Sequence, residues 1–349
     1  VLVHGVPVAD SEFGRDPSDP VRSSRPGDNL AAGGVDAVVI DAVTDAMRRG
    51  QNQYPSMLGV PELRQAIAHK VQTLYGRSYD PVSEITVTAG ATQAIINAVL
   101  AVVRPGDEVI VLEPCYDSYI PNIELAGGTV VRVPLNPGTF RPDLERIAAA
   151  ITPRTRMLMI NSPHNPSATV WTRAELMRLQ EILEPTQAIL LSDEVYEHMV
   201  YAPLQHLSVA SFPGLAERAF VISSFGKTYH VTGWKVAYCA APASFTHEYR
   251  KVHQFNTFAV ATPLQRAIAD FMAECPQWEL DLARFYQAKR DRFREQLLGT
   301  RLKPLPVPGG YFQLVDYSAV SDLPDHEFVK WLTVEHGVAA IPLSPFYET

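Results

Sequence analysis

A chain of 349 residues, 46% hydrophobic and 19% charged, is long enough to bury one large core beside a smaller second domain. Its net charge of −8 speaks against partners that reward a basic footprint, so neither nucleic acid nor a membrane surface is expected. No apolar run approaches the roughly 20 residues needed to span a bilayer.

Residues 10–35 are rich in Asp, Ser, Pro, Gly and Arg without an apolar period, which predicts an arm or poorly ordered leader. The opening "VLVHGVPVADSEFGRDP" lacks the basic stretch and apolar core of a secretory signal. "DAVVIDAVTDAMRRG" has helical apolar spacing up to Gly50. "VPELRQAIAHKVQTLYG" predicts a second amphipathic helix, with Pro61 in its first turn and Gly76 past its end.

A regular alternation follows. "EITVTAG", "EVIVLEP", "GTVVRVPL", "TRMLMINSP", "AILLSDE" and "AFVISSF" read as strands, while "ATQAIINAVLAVV", "PDLERIAAAI" and "TRAELMRLQEIL" read as helices. This order predicts an α/β fold, a large domain with a mostly parallel sheet flanked by helices. Near residue 290 the pattern changes to a long helix, "LARFYQAKRDRFREQLLG". "GGYFQLVDYS", a helix "DHEFVKWLTVEHG" and a final strand "VAAIPLS" complete a smaller α+β C-terminal domain. The expected division is an arm and helix over 1–50, the large domain over 51–290 and the small domain over 291–349.

Cys115, Cys239 and Cys275 are far apart and show no CxxC spacing, so they read as reduced thiols of a cytoplasmic protein. "DEVYEH" gathers Asp193, Glu194 and His198 without the HExxH zinc arrangement, and no metal is expected there.

In an open parallel sheet, ligands bind outside the carboxyl ends of the strands. Thr92, Asn165, Asp193 and Lys227 each follow a predicted strand, and they carry the functional reading. In "TAGAT", Gly90, Ala91 and Thr92 can present N–H groups and a hydroxyl to a phosphate at a helix start; a plain strand–helix turn capped by Thr92 fits as well. Asp193 at the end of a buried strand needs a cation or N–H partner, such as a protonated ring nitrogen, or it caps the next segment. Asn165 in a Pro-flanked loop can donate to a phenolate or simply serve the turn. Tyr116 can lie against a planar ligand or in the core. Lys227 can join an aldehyde as an imine or snorkel to solvent, and Lys235 and Ser224 can add to a phosphate site. Together these residues describe a site for a planar phosphorylated aldehyde with a basic ring nitrogen, which is pyridoxal 5′-phosphate.

"NQYPSMLGVPELRQAIA", "ITVTAGATQAI", "PCYDSY", "NSPHNPSATVW", "SDEVYEH" and "SSFGKTYHVTGWKVAYC" occur in the order found in class I, fold-type-I pyridoxal-phosphate aminotransferases. From about Gln51 onward the chain resembles that family, most of all its methionine aminotransferase branch near the kynurenine and glutamine enzymes. The resemblance implies Lys227 as Schiff-base lysine and proton shuttle, and Asp193 as partner of the pyridine nitrogen. It implies Tyr196 and Asn165 at the ring phenolate, Tyr116 stacked on the ring, and Ala91, Thr92, Ser224 and Lys235 at the phosphate. It also implies a homodimer in which Tyr54 reaches the phosphate of the neighbouring subunit. The implied reaction moves an amino group, from methionine or else aromatic amino acids or glutamine, to a 2-oxo acid by a ping-pong route.

Several positions depart from the family. An arginine that clamps the substrate carboxylate is expected near the C-terminus, whereas the last arginine here is Arg301. "DNLAAGGVDAVV" stands where relatives carry a Gly-Phe-Pro loop, Lys235 replaces a frequent arginine, and Ala168 replaces the glycine of the NPxG turn. The substrate clamp is therefore expected to be incomplete in this chain. A cysteine-conjugate β-lyase using the same site, or a cofactor-binding scaffold without turnover, are the alternatives.

Overall fold

Aliphatic and β-branched runs set the strands of the computed structural model, which describes residues 2–4 and 37–347. The expected arm over 10–35 lies outside the described residues. In chain order the strands are β1 (Leu2–His4), β2 (Ile85–Thr88), β3 (Glu108–Glu113), β4 (Thr129–Pro134), β5 (Thr155–Asn161), β6 (Ile189–Asp193), β7 (Ala219–Ser224), β8 (Ala237–Ala240), β9 (Lys303–Pro304) and β10 (Phe312–Asp316). Seven of them form one sheet in the order β2-β8-β7-β6-β5-β3-β4. All neighbours from β4 across to β7 pair in parallel, and β8 alone runs antiparallel, to both β7 and β2.

Alternate residues of one strand enter opposite cores. Val109 and Val111 of β3, with Met157 and Met159 of β5, pack into the cluster on one face. Ile110 and Leu112, with Leu158 and Ile160, pack into the cluster on the other. Burial on both faces is why these strands read as unbroken apolar runs rather than as alternating ones.

The helices cover both faces and are capped as their sequences suggest. Pro61 opens the helix Pro61–Tyr75, and Gly76 closes it at φ +73° with its N–H on the Gln72 carbonyl. Thr172 and Glu175 form a capping box at the start of Arg173–Leu183. The helix Gly90–Val102 packs on Ala243–Asn256, and Ala37–Arg48 packs on Thr262–Glu274. Among the described residues, no helix is long and apolar enough to cross a membrane.

β10 pairs antiparallel with β1 and with β9 in a separate three-stranded sheet. The loop after β6 joins the segment before β10 through a Val200–Gly309 bridge and the Tyr201 N–H on the Pro308 carbonyl at 2.9 Å. That junction carries Tyr311 to the carboxyl edge of the large sheet.

The expected final strand "VAAIPLS" does not form. Pro342 and Pro345 lack N–H groups for a ladder, and the N–H groups of Leu343 and Ser344 both donate to Asp325 Oδ2 at 2.7 Å. The segment holds an isolated bridge residue, Ile341, and a 3-10 turn, Ser344–Phe346. β8 and the helices Tyr119–Leu125, Ala243–Asn256 and Thr262–Glu274 were not expected from the sequence.

Candidate active site

The parallel strands end side by side, with Asn161 of β5 in register with Asp193 of β6. Beyond those ends lies a cavity of about 350 Å³ lined by Gly90, Ala91, Thr92, Tyr116, Asn165, Asp193, Tyr196, Ser224, Lys227 and Lys235, among others. Every residue expected at the site is thus brought together except Tyr54. Tyr54 lies elsewhere, 83% exposed, with its ring edge-on to Phe258.

At one end the helix Gly90–Val102 begins on Gly90, whose φ of +81° suits a residue without a β-carbon. The N–H of Ala89 donates to Gln93 Oε1 at 2.9 Å, which fixes the turn. The Lys235 side chain lies against Gly90 so closely that a β-carbon there would stand 2.9 Å from its Nζ. An ammonium beside the N-terminus of a 13-residue helix, with Thr92 and Ser224 lining the same cavity, concentrates groups that favour an anion.

At the other end Asp193 is 3% exposed. Its Oδ2 accepts the Tyr119 hydroxyl at 2.7 Å, and its Oδ1 accepts the Val195 N–H at 3.3 Å. Burial pushes its carboxyl up to about 6; the Tyr119 and Val195 donors and the Lys227 ammonium oppose that rise, and Glu194 adds to it. A carboxylate so placed favours a cation beside it.

Between the two ends, Lys227 projects from the short helix Phe225–Thr228 that directly follows β7. Its Nζ donates to the Tyr311 hydroxyl at 2.7 Å and sits 5.8 Å from the centre of the Tyr196 ring. Tyr196 shares a side-chain hydrogen bond with Tyr311, and burial first, then Tyr311, pushes its phenol well above the ordinary range. Asn165 is held by its N–H on Asn161 Oδ1 at 2.6 Å, while Asn161 Nδ2 donates to the Asp193 carbonyl at 2.8 Å. Tyr116 lies within 3.3 Å of Thr92 Oγ1 through its hydroxyl, and its ring meets the edge of Tyr119.

Tyr119, Asn161 and Tyr311 belong to this constellation and were not singled out from sequence. Tyr119 and Asn161 stand inside the quoted motifs "PCYDSY" and "NSPHNPSATVW", so position relative to a strand end was an available signal. Tyr311 arrives from another part of the chain. The cations among the described residues that line the cavity are Lys227 and Lys235, with no arginine beside them.

A mostly parallel sheet whose carboxyl edge gathers a lysine, a buried aspartate and a second lysine beside a helix start defines a layered α/β fold with a charged cavity at that edge. The chain belongs to the class I and II aminotransferases, whose family model matches residues 27–349. It is 54% identical over 298 residues to methionine aminotransferase from Escherichia coli, covering 85% of this chain and 77% of that protein. It is 35% identical over 326 residues to kynurenine–oxoglutarate transaminase 3 from Rattus norvegicus, covering 85% and 71%. Among solved structures, YbdL from Escherichia coli, described with a methionine aminotransferase function, superposes with a TM-score of 0.89. That match has 51% identity and covers 90% of this chain and 82% of the other. The sheet and its flanking helices are accordingly those of the fold-type-I transferases.

Proposed function

We propose that this aminotransferase works with pyridoxal 5′-phosphate and takes methionine as amino donor, passing the amino group to a 2-oxo acid. The observation that carries the reading is the spacing of three charged groups around one cavity: Lys235 at the helix start, Lys227 in the middle and buried Asp193 at the far end. This donor set fits the cofactor: a cation for its phosphate, an amine for its aldehyde and a carboxylate for its ring nitrogen. Gly90 leaves the room beside Lys235 that a β-carbon would fill.

When bound, the cofactor supplies an aldehyde that takes up the amino group and a protonated ring that draws electrons from the reacting carbon. Asp193 would keep the ring nitrogen protonated, Tyr196 and Asn165 would donate to the ring oxygen, and Tyr116 would contact the ring. Gly90, Ala91, Thr92, Ser224 and Lys235 would hold the phosphate. Lys227 Nζ would be the amine that meets the aldehyde and the base that takes the α-proton of the substrate. Tyr311 holds that amine at 2.7 Å, at the mouth of the catalytic position. Ile341, Phe346 and Phe312 make the adjoining wall apolar, which suits an unbranched thioether side chain.

The high exposure of Tyr54, away from its own cavity, supports a homodimer in which it serves the neighbouring subunit. The buried thiols of Cys115 and Cys239 support a cytoplasmic setting.

The test is an absorbance titration of the purified protein with pyridoxal phosphate, followed by methionine. A visible band that is absent in Lys227→Ala and bleaches with methionine, with the 2-oxo acid formed in step, is the expected result. A band that ignores methionine would overturn the substrate assignment, and release of pyruvate and ammonia from a cysteine conjugate would favour a lyase. Absence of any band in the folded protein would overturn the cofactor assignment.

A further inference from the structure

Tyr119 is 3% exposed and sits on the helix Tyr119–Leu125, behind the cavity wall. It touches two residues of the site by two different parts of one side chain. Its hydroxyl donates to Asp193 Oδ2 at 2.7 Å. Its ring meets Tyr116 edge-to-face, with centroids 5.6 Å apart and an interplanar angle of 85°. Resting on the reading of this cavity as the cofactor site, we propose that Tyr119 is a positioning residue that aims both grips on the cofactor ring, the Asp193 carboxylate and the Tyr116 face.

The reason lies in what Asp193 would otherwise face. Two oxygens of a carboxylate can accept about four hydrogen bonds, and Asp193 has one short side-chain donor and one long backbone donor. Tyr119 occupies Oδ2 and so leaves Oδ1, with its 3.3 Å Val195 contact, as the oxygen with capacity for a ring N–H. The same bond favours the ionised form of a carboxyl that burial drives the other way. The titratable groups that bear on Asp193 are Tyr119, Glu194, Tyr196 and Lys227, with Lys235 on the same cavity. Of these, Tyr119 is the one that donates directly to its carboxylate. A tyrosine rather than a histidine or lysine keeps this support neutral, because its phenol is pushed well above the ordinary range by burial and by Asp193 itself.

The sign of the pH effect follows. Asp193 must be ionised to hold a protonated ring nitrogen, so cofactor affinity declines as pH falls through about 6, where the carboxyl of the free protein takes up its proton. Without the Tyr119 hydroxyl that carboxyl rises further, and the acid limb moves to higher pH.

The experiment measures pyridoxal phosphate affinity by equilibrium dialysis across pH 5–8 for wild type, Tyr119→Phe, Asp193→Asn and the double variant, beside the melting temperature of each unliganded protein. Losing one hydrogen bond to a charged group is expected to weaken affinity at pH 7 about tenfold. The acid limb should shift upward in Tyr119→Phe, the melting temperature should change little, and the same substitution in the Asp193→Asn background should add little. Unchanged affinity and limb in Tyr119→Phe would overturn the proposal while leaving the cofactor reading intact. An equal loss with and without the Asp193 carboxylate would overturn it too, since the Tyr119 hydroxyl would then act through some group other than that carboxylate. Should Tyr119→Phe not fold, 3-fluorotyrosine at position 119 provides the measurement: its more acidic hydroxyl should move the limb to lower pH, and an unmoved limb refutes the idea. A wild-type protein that binds no pyridoxal phosphate would bring down the cofactor reading, and this proposal with it.

Discussion

Lys235 and Gly90 occupy each other's space: a β-carbon at Gly90 would lie 2.9 Å from both Nζ and Cε of the lysine. The two come from neighbouring strand ends, the glycine just after β2 and the lysine just before β8, the strand that pairs with β2. Lys235 itself takes a left-handed backbone, φ +53°, to make the approach. Gly90→Ala is therefore expected to displace the ammonium and to strain a residue at φ +81°. Because the displaced atoms are the free end of a flexible side chain, folding should survive. Affinity for pyridoxal phosphate should fall about 10- to 100-fold, the scale of one strained backbone position or one charge-assisted contact. Equilibrium dialysis of the folded variant measures this, and wild-type affinity would refute it.

Asp193 costs the unliganded fold something. Burial raises its carboxyl from 3.8 to about 6. For a group raised on folding, the stabilisation is complete below the unfolded value and is lost as pH rises through the folded one. At pH 8 the ionised side chain thus weighs against the native state. Asp193→Asn should stabilise the unliganded protein there by up to about 3 kcal/mol, with the gain vanishing below about pH 4. Denaturant unfolding at the two pH values tests it. The same variant should lose turnover, so stability and activity are expected to move in opposite directions.

A second buried charge pair lies beneath the site. Lys70 Nζ meets Glu197 Oε1 at 2.6 Å, with side chains 6% and 1% exposed. Glu197 also accepts the hydroxyls of Tyr75 and Ser223, so one carboxylate ties the helix Pro61–Tyr75 to the residue after Tyr196 and to the end of β7. Burial favours the protonated acid, but Lys70, with His198 and His206, outweighs burial and holds the carboxyl well below its usual range.

Lys70→Met would strand that carboxylate and is expected to destabilise the protein by about 3–5 kcal/mol. Adding Glu197→Gln to it should recover part of the loss. The stabilisation of a depressed carboxyl is present above the unfolded value and lost in acid, so the difference between wild type and Lys70→Met should shrink as pH falls below about 4.5. Chemical denaturation at pH 7 and pH 4 gives the comparison, and a loss independent of pH would contradict the ion pair as its source.

Tyr54 gives a test of subunit exchange. If each cavity takes its tyrosine from the neighbour, a mixture of Lys227→Ala and Tyr54→Phe chains contains hybrids with one complete site. Refolding the two together should restore part of the activity that each lacks or lowers alone. No recovery in a mixture shown to contain hybrids would place Tyr54 in no shared site.

The sequence by itself determined the strand-and-helix alternation and most of the cavity. Both are local properties: an apolar run of five or six residues defines a buried strand, and the polar residue that follows it must emerge at the sheet edge. Thr92, Asn165, Asp193 and Lys227 could be read in that way, and Gly90 could be read from its place between strand and helix. The tertiary structure alone decided strand order, including the antiparallel β8 slotted between β2 and β7. It also decided the partners that reach the site from afar: Tyr119 is 74 residues from Asp193, and Tyr311 is 84 residues from Lys227. Nothing in the local pattern of either tyrosine records its partner, because those contacts are set by which strands neighbour each other and where the C-terminal sheet docks. The lost strand at "VAAIPLS" has the same origin, since Asp325 on a preceding helix claims the N–H groups that a ladder would use.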